Sequence, residues 1–272
     1  KIVFLLILLT TLSCKKESLS SSITVNLGIK QDDNPFPKTM SPLRFMDSIS
    51  KEFKGIKNID SSFVMFLNTV NFRDIEKALK KGELKKETID STETKIYALS
   101  GFNNGMQYYI LDLNGNKDFS DDEIIEFEKN ISEKENFRDS FKIKSIEITK
   151  LNEGSFHKQL TYLQFLPAPK YFTYKKETPS EKFKHSLQLA VLKHDYLYGT
   201  FKMGSENYGV GVNKGWRSFE FIFKKSDTSF YSYNHQLFAK HLSKDTLKLN
   251  NNYFQIDSLS TFPPKLTLNK IE

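Results

Sequence analysis

The fold is decided by residues 94–111, which read TKIYALSGFNNGMQYYIL. Apolar and polar side chains alternate over 94–100, which is the period of a half-buried strand. The Asn-Asn-Gly turn at 103–105 contains the residue types that adopt a left-handed backbone in a tight hairpin. Residues 106–111 provide the partner strand, so the stretch predicts an antiparallel hairpin that delivers Asp112 at its end.

Working outward, many further segments show strand periodicity between short turns. They are 23–29, 124–128, 141–150, 160–166, 186–193, 196–203, 207–212, 218–224, 246–249, 253–258 and 266–271. The 24 Phe and 12 Tyr residues also favour pleated, half-buried surfaces. The chain is therefore predicted to be mainly β, with antiparallel sheets in a sandwich or barrel-like arrangement and one or two short helices. Residues 141–150 change phase midway, which indicates a bulge or a change of partner strand.

The clearest helical segment is 71–81. Asn71 is a suitable N-cap, and Gly82 is a suitable stop signal. An apolar stripe of Phe72, Ile75 and Leu79 is expected to pack into the core. Elsewhere, residues 173–184 are polar and are interpreted as a loose boundary between subdomains.

Composition limits both the organisation and the partners of the chain. The mature part is expected to comprise an N-terminal β-rich part, residues 23–150, and a C-terminal antiparallel β part, residues 151–272. The net charge is +7, but the 40 basic residues are interspersed with 33 acidic ones along the whole sequence. Proteins that bind nucleic acid concentrate their basic residues on one face or stripe, so this charge pattern argues against nucleic acid as a partner.

The chain begins with residues 1–14, which read KIVFLLILLTTLSC. Lys1 precedes an apolar run that is long enough for a signal peptide but too short to span a bilayer. The ending at 11–14 resembles the lipobox of bacterial lipoprotein signal peptides, with Thr11 where Leu is commoner. The resemblance implies that residues 1–13 are removed and that the sulfur of Cys14, the single cysteine, is acylated. The alternative is a short uncleaved signal anchor.

Residues 14–22 would then comprise the lipidated Cys14 and a Ser-rich flexible tether. A chain attached in this way is expected in the bacterial cell envelope, lipid-anchored to a membrane and either periplasmic or surface-exposed. The sequence does not distinguish these two faces of the membrane.

One segment, residues 112–123, has a residue pattern that indicates specific chemistry; it reads DLNGNKDFSDDE. Oxygen-bearing residues recur at alternate positions and at the end of the segment, which is the ligand spacing of an EF-hand-type calcium loop. The candidate ligands are Asp112, Asn114, Asn116, Asp118, Ser120 and Glu123. Three side chains would bind directly, Asp118 would use its backbone carbonyl, Ser120 would hold a water, and Glu123 would close the shell.

The segment departs from that pattern at Lys117, where the motif has glycine because the backbone needs a positive φ. Gly115 is expected to relocate the sharp turn. Asp121 and Asp122 are expected to point outward as surface charges. With two ligand carboxylates, the calcium affinity is expected to be weak, on the order of 10⁻⁴–10⁻³ M. The alternative is a polar turn with an acidic rim and no bound ion.

A broader resemblance is carried by residues 108–123 and by four later segments, 198–200, 207–208, 246–249 and 253–258. These segments look like parts of β-rich lipoproteins of Gram-negative bacteria. In that group such a region stands alone, or it precedes the thioredoxin-like domain of a thiol-disulfide oxidoreductase. This chain has no Cys-x-x-Cys pair, so no redox residue is carried over from the resemblance.

Other chemistry is not indicated by the sequence. The five histidines lack zinc-ligand spacing, and the chain has no nucleophile elbow, phosphate loop or dinucleotide fingerprint. The His194-Asp195 pair is interpreted as part of a hairpin turn. Trp216 is interpreted as a buried anchor rather than as a glycan-binding side chain.

The sequence therefore predicts a membrane-tethered, non-catalytic, calcium-stabilised binding or structural lipoprotein. Its expected partners are the membrane, through the lipid, and an envelope protein or a glycan. Two alternatives stay open. In the first, the chain is the N-terminal module of a thiol-disulfide oxidoreductase whose redox domain lies beyond residue 272. In the second, it is a surface hydrolase.

Overall fold

A computed structural model describes residues 21–32, 34–38, 40–49, 51–56, 61–168, 178–214, 218–225, 234–238, 246–249 and 252–271. The predicted signal peptide, Cys14 and most of the tether lie outside these residues, as do Trp216 and His241. Within the described part of the chain, no helix has the length and apolar character needed to cross a membrane.

The described residues are mainly in strands, which confirms the predicted fold class. The strands are β1 Ser22–Asn26, β2 Gly28–Lys30, β3 Met40–Pro42, β4 Arg44–Phe45, β5 Ser62–Asn68, β6 Lys95–Asn103, β7 Met106–Asp112, β8 Ile124–Glu128, β9 Ile143–Asn152, β10 Ser155–Pro167, β11 Leu189–Lys193, β12 Tyr196–Met203, β13 Glu206–Lys214, β14 Ser218–Lys225, β15 Asn234–Phe238, β16 Thr246–Leu249, β17 Asn252–Thr261 and β18 Pro264–Ile271. The α-helices are α1 Phe72–Lys80, α2 Lys86–Asp90 and α3 Pro179–Ser186. The helices therefore number three in the described residues, where one or two were predicted.

Helix α1 confirms the predicted boundaries but not the predicted buried face. The Asn71 side chain accepts a hydrogen bond from the Arg73 backbone N–H at 3.0 Å, as an N-cap does. The expectation that Phe72 and Leu79 pack into the core is wrong, because Phe72 is 67% exposed and Leu79 is also exposed. The residue that α1 buries is Ala78. Ile75, the third residue of the predicted stripe, is half-buried, so the face of α1 that contacts the protein is narrower than predicted.

Two further sequence expectations need correction. The predicted bulge in 141–150 is absent, since β9 pairs with β10 in continuous register from Ile143 to Asn152. The apolar alternation changes phase because Phe141 lies before β9 and is buried outside the strand. Helix α3 was not predicted, although Thr178 and Glu181 form a reciprocal capping box at its start.

Contacts divide the described chain into two compact units, and both are discontinuous in sequence. Unit 1 contains the described parts of Lys1–Leu27, Gly199–Gly211 and Gly215–Glu272, and unit 2 contains those of Gly28–Tyr198 and Val212–Lys214. The boundary predicted at 150/151 falls inside β9, whose hairpin with β10 continues on both sides of it.

Unit 2 holds an antiparallel sandwich. One sheet has the strand order β4-β5-β6-β7-β8, and the other has β3-β11-β10-β9. Their facing side chains form one core, in which Met65, Ala98 and Tyr109 from the first sheet meet Phe165 and Val191 from the second. Alternating residues on each strand fill this layer, as expected for two packed sheets.

The opposite face of the five-stranded sheet carries a second apolar cluster. Val64, Leu99 and Ile110 belong to it, together with Phe53 from the segment before β5 and Phe119 from the segment after β7. The Phe53 ring stacks on the Phe119 ring at 5.9 Å between centroids. The 112–123 segment is therefore attached to the sheet by a buried aromatic side chain.

Unit 1 contains a four-stranded antiparallel sheet, β1-β18-β17-β16, and the neighbouring strands β15, β14, β13 as far as Gly211 and β12 from Gly199. Phe254, Leu266 and Leu268 of the four-stranded sheet are fully buried, as is Phe221 on β14. The pairing of β17 with β18 shifts register between Ile256 and Ser258. None of the predicted ligand residues falls in this unit.

Candidate metal-binding loop

The candidate loop, residues 113–123, joins two neighbouring strands. Asp112 is the last residue of β7, and Ile124 is the first residue of β8. The strands are antiparallel partners, with Ile110 opposite Ile124. Because both ends of the loop leave adjacent strands of a packed sheet, its entry and exit points are fixed relative to each other.

Asp112 lies at the base of the loop and is 2% exposed. Its Oδ1 accepts a hydrogen bond from the Gly115 backbone N–H at 2.8 Å, and its Oδ2 accepts one from the Lys117 backbone N–H at 3.0 Å. A carboxylate offers about four acceptor sites, so each oxygen keeps one site free of these bonds. The loop therefore curls around Asp112, as the first ligand of such a loop requires.

The next three polar residues repeat one local motif. Asn114 Oδ1 accepts from the Asn116 N–H at 3.0 Å, and Asn116 Oδ1 accepts from the Asp118 N–H at 2.8 Å. Asp118 Oδ1 in turn accepts from the Ser120 N–H at 3.0 Å and from the Ser120 hydroxyl at 2.6 Å. These side-chain turns fix the curvature of the loop through its own Asx residues.

The sharp turns of the loop fall at two residues. Gly115 has a φ of 73°, as expected, and Lys117 also has a positive φ of 60°. A left-handed conformation costs a residue with a Cβ about 1–2 kcal/mol. Contacts of the Lys117 side chain offset this cost, because its ammonium group lies 2.7 Å from Glu52 Oε2 and 5.8 Å from the centre of the Tyr97 ring. The cation thus points to Glu52.

The expectation that Asp122 points outward is wrong, and Asp121, although exposed as expected, is more than a surface charge. Asp121 Oδ2 accepts from the Asn116 amide at 2.8 Å and from the Asn114 amide at 3.3 Å, so it fixes the orientation of both amides. Asp122 Oδ2 is buried and has no hydrogen-bond partner among the described residues. Both carboxylates therefore face the other polar groups of the loop.

Burial, together with the negative charges of Asp112 and Asp121, raises the pKa of Asp122 to about 6. A hydrogen bond from the Leu113 backbone acts in the opposite direction, and it places Asp122 beside the first residues of the loop. An ionised Asp122 is therefore under repulsion from its neighbours, with one oxygen left without compensation.

Glu123 is not brought to the other predicted ligands. Its Oε2 lies 2.8 Å from the Lys144 ammonium group, and its side chain is 66% exposed. The hydrogen bond and the charge of Lys144 lower the pKa of Glu123. The carboxylate that lies beside Asp112 and the Leu113 backbone is Asp122, one residue earlier.

These groups fit a hard cation. The loop offers carboxylate, amide, hydroxyl and backbone carbonyl oxygens, and calcium takes six to eight oxygen ligands. A positive ion would compensate the unpartnered Asp122 oxygen and the repulsion from Asp112. In the described ranges, no three or more His, Cys, Asp or Glu side chains are grouped in a metal-holding arrangement. The loop would therefore depend on amide and backbone oxygens for much of its shell.

Comparisons with protein-family models, with curated proteins and with solved structures find no match to this chain. The candidate site therefore rests on the geometry of its own residues. The resemblance to β-rich lipoproteins stays a prediction, as does the membrane anchor at Cys14.

A second polar cluster, which the sequence interpretation assigned to a simple turn, is buried in unit 2. Asp195 is 4% exposed; its Oδ1 accepts from the Thr161 hydroxyl at 2.6 Å and from the Tyr162 backbone N–H at 2.8 Å. Its Oδ2 lies 3.2 Å from the Lys193 ammonium group. Asp195 therefore connects the start of β12 to the middle of β10.

His194 extends this cluster towards the 3-10 turn before β9. Its Nε2 lies 3.0 Å from Gln164 Oε1, and Gln164 Nε2 donates to the Arg138 and Phe141 carbonyls at 2.7 Å each. Because those two carbonyls fix the amide orientation, His194 Nε2 carries the proton. Burial lowers the pKa of His194, so the ring is neutral at physiological pH. The cluster is a satisfied structural network.

Proposed function

We propose that the protein is a non-catalytic lipoprotein of the bacterial envelope, tethered through Cys14 and stabilised by calcium in the loop after β7. The observation that carries the calcium part is the buried, unpartnered Oδ2 of Asp122, in a loop whose other carboxylates raise the pKa of Asp122. The observation that carries the tether is the single cysteine directly after an apolar run of signal-peptide length.

The proposed ligands are those of the sequence interpretation, with one substitution. Asp112, Asn114 and Asn116 would bind through side-chain oxygens, Asp118 through its carbonyl, and Ser120 through a water. Asp122 replaces Glu123 as the closing carboxylate, because Glu123 is paired with Lys144. Asp121 orients the two amides and would act as a support for the ligands.

The role of the ion would be structural. The loop packs through Phe119 on the outer face of the five-stranded sheet, and its two ends are the ends of β7 and β8. An ion held in the loop would fix these parts together and relieve the repulsion between carboxylates. Because the ligands include two carboxylates and two amides, the affinity is expected in the range of extracellular modules, on the order of 10⁻⁴–10⁻³ M.

The experiment that tests the calcium role is a thermal melt of residues 15–272 in millimolar calcium and in chelator. Calcium binds the folded loop and scarcely the unfolded chain, so it must stabilise the protein by mass action. The gain is about 2.7 kcal/mol at a free concentration of 100 times the dissociation constant. Magnesium at equal concentration and ionic strength is the control, since it demands a tighter octahedral shell. Equal melting curves in calcium and chelator would contradict the proposal.

The tether makes a separate prediction. Cys14→Ala in the full precursor is expected to abolish incorporation of labelled palmitate and to leave the signal peptide uncleaved, because the acylated sulfur is absent. The measurement is labelling followed by gel mobility in a Gram-negative host. Ser13→Ala, a small-residue change next to the cysteine, is the matched control and should label normally. Labelling that persists in Cys14→Ala would remove the lipoprotein assignment.

A further inference from the structure

Residues 51–56, which we call the strap, cross the calcium loop from a distant part of the sequence. The Lys54 backbone N–H donates to the Lys117 carbonyl at 2.9 Å, and the Phe119 N–H donates to the Lys54 carbonyl at 3.1 Å. These two bonds form a parallel β-bridge between Lys54 and Asp118. The strap therefore forms hydrogen bonds with the residues on both sides of Asp118, whose carbonyl is a proposed ligand.

The bridge has a directional consequence. A planar trans peptide points its C=O group and the N–H of the next residue in opposite directions. Because the Lys117 carbonyl and the Phe119 N–H bond to the strap, the N–H and the carbonyl of Asp118 both point away from Lys54. The Asp118 N–H does so, since it donates to Asn116 Oδ1 at 2.8 Å.

Three further contacts hold the strap close to the loop. Glu52 pairs with Lys117 at 2.7 Å, and the Phe53 ring lies between Phe119 and Tyr97, at 5.9 and 5.0 Å between centroids. Gly55 has a φ of 69°, and a Cβ at this residue would overlap the Ser120 backbone nitrogen. Glycine at position 55 is therefore required for the approach of the strap to the loop.

We propose that the strap is the second half of the calcium site. It positions the Asp118 carbonyl towards the ion, and the bound ion in turn holds the strap on the outer face of the five-stranded sheet. This inference rests on the proposed calcium function. By linkage, an ion that binds better when the strap is in place must also stabilise the strap in that place. Calcium would thereby control whether the aromatic face under Phe53 is covered.

The first test is hydrogen exchange of the Lys54 and Phe119 amides in residues 15–272. If the strap leaves only when the ion leaves, exchange of both amides should slow about 100-fold at a calcium concentration of 100 times the dissociation constant. Amides of β11, in the opposite sheet, serve as the internal reference for effects on global stability. Calcium binding without slower exchange at Lys54, relative to that reference, would overturn the strap and leave the calcium proposal intact.

The second test changes the strap and measures calcium affinity by an amide-shift titration. Gly55→Ala should weaken binding at least tenfold, because the added methyl group displaces the strap from Ser120. Gly82→Ala is the matched control: its φ is 71°, but a Cβ there meets nothing within 4 Å. Its calcium affinity should equal that of the wild type. Equal affinities for the two glycine variants would contradict the inference.

A milder variant tests the same role of the strap if Gly55→Ala does not fold. Glu52→Gln removes the charge that pairs with Lys117 and should weaken calcium binding about threefold, since a surface ion pair is worth up to about 1 kcal/mol. Glu83→Gln breaks a comparable exposed ion pair, with Lys81 at 3.3 Å, and should leave affinity unchanged. An unchanged affinity in Glu52→Gln would overturn the positioning role of the strap. No calcium binding in the wild type would remove both the strap and the calcium proposal.

Discussion

Phe119→Ala is expected to lower the free energy of unfolding by about 3–5 kcal/mol, the usual cost of deleting a buried Phe ring. The ring is 1% exposed and stacks on Phe53 in the cluster on the outer face of the sheet. Its removal leaves a cavity between the loop and the sheet, which the surrounding residues fill only in part. The measurement is urea denaturation in chelator, followed by circular dichroism.

Phe72→Ala is the matched control for this change. Phe72 is 67% exposed on α1, so the same truncation there should change the free energy of unfolding by less than about 0.5 kcal/mol. Phe119→Ala should also weaken calcium binding, since the loop loses its attachment. If both variants unfold at the same urea concentration, the packing assigned to the loop is incorrect.

Asp195→Ala is expected to cost about 2–5 kcal/mol, because two buried donors lose their acceptor and each unsatisfied donor costs about 1–3 kcal/mol. The change removes the acceptor for the Thr161 hydroxyl and the Tyr162 N–H, and it leaves both donors buried without a partner. The expected result is a lower urea midpoint with an unchanged slope, measured beside the wild type.

Asp90→Ala serves as the control, because Asp90 is exposed at the end of α2. Asp195→Asn is a second test of the same network: it keeps one oxygen acceptor and should recover part of the loss. A loss in Asp195→Ala no larger than that in Asp90→Ala would show that the network contributes nothing to stability.

The periodic segments were predictable from sequence because one face of each segment is buried and the other is not. Strand β12 has the predicted bounds, and the Asn71 cap starts α1 where the sequence indicates. The buried face of α1 was predicted wrongly, since apolar spacing alone does not report whether a large side chain finds a surface to cover. Helix α3 was missed because its polar sequence was assigned to a boundary, although Thr178 and Glu181 carry the capping signal.

In the loop, the contacts between residues near in sequence were predictable, and the contacts with distant residues were not. The Asx rhythm of 112–120 predicted the curl around Asp112, because each of those hydrogen bonds spans five residues or fewer. Glu123 is paired with Lys144, and the left-handed Lys117 is paired with Glu52. These partners are distant in sequence, so a residue pattern within the loop contains no information about them.

The burial of His194 and Asp195 was not predicted, for a similar reason. The dipeptide between two apolar runs is typical of an exposed hairpin turn. Its burial follows from Thr161 and Gln164 on the neighbouring strand β10, which offer a hydroxyl and an amide at the right positions. The predicted hairpin turn is wrong, because β11 and β12 belong to different sheets and do not pair with each other. The polar partners of the dipeptide could be known only from the packed strands.

The most direct measurement of the central claim is a calcium titration of residues 15–272, followed through the Gly115 amide shift, with the wild type, Asp122→Asn and Glu123→Gln. The wild type should saturate below about 10 mM calcium, the upper region for weak sites. Glu123→Gln should bind within about threefold of the wild type, whereas Asp122→Asn should bind at least tenfold more weakly, a loss of about 1.4 kcal/mol or more. Wild-type affinity in Asp122→Asn, or no saturable shift in the wild type, would contradict the account.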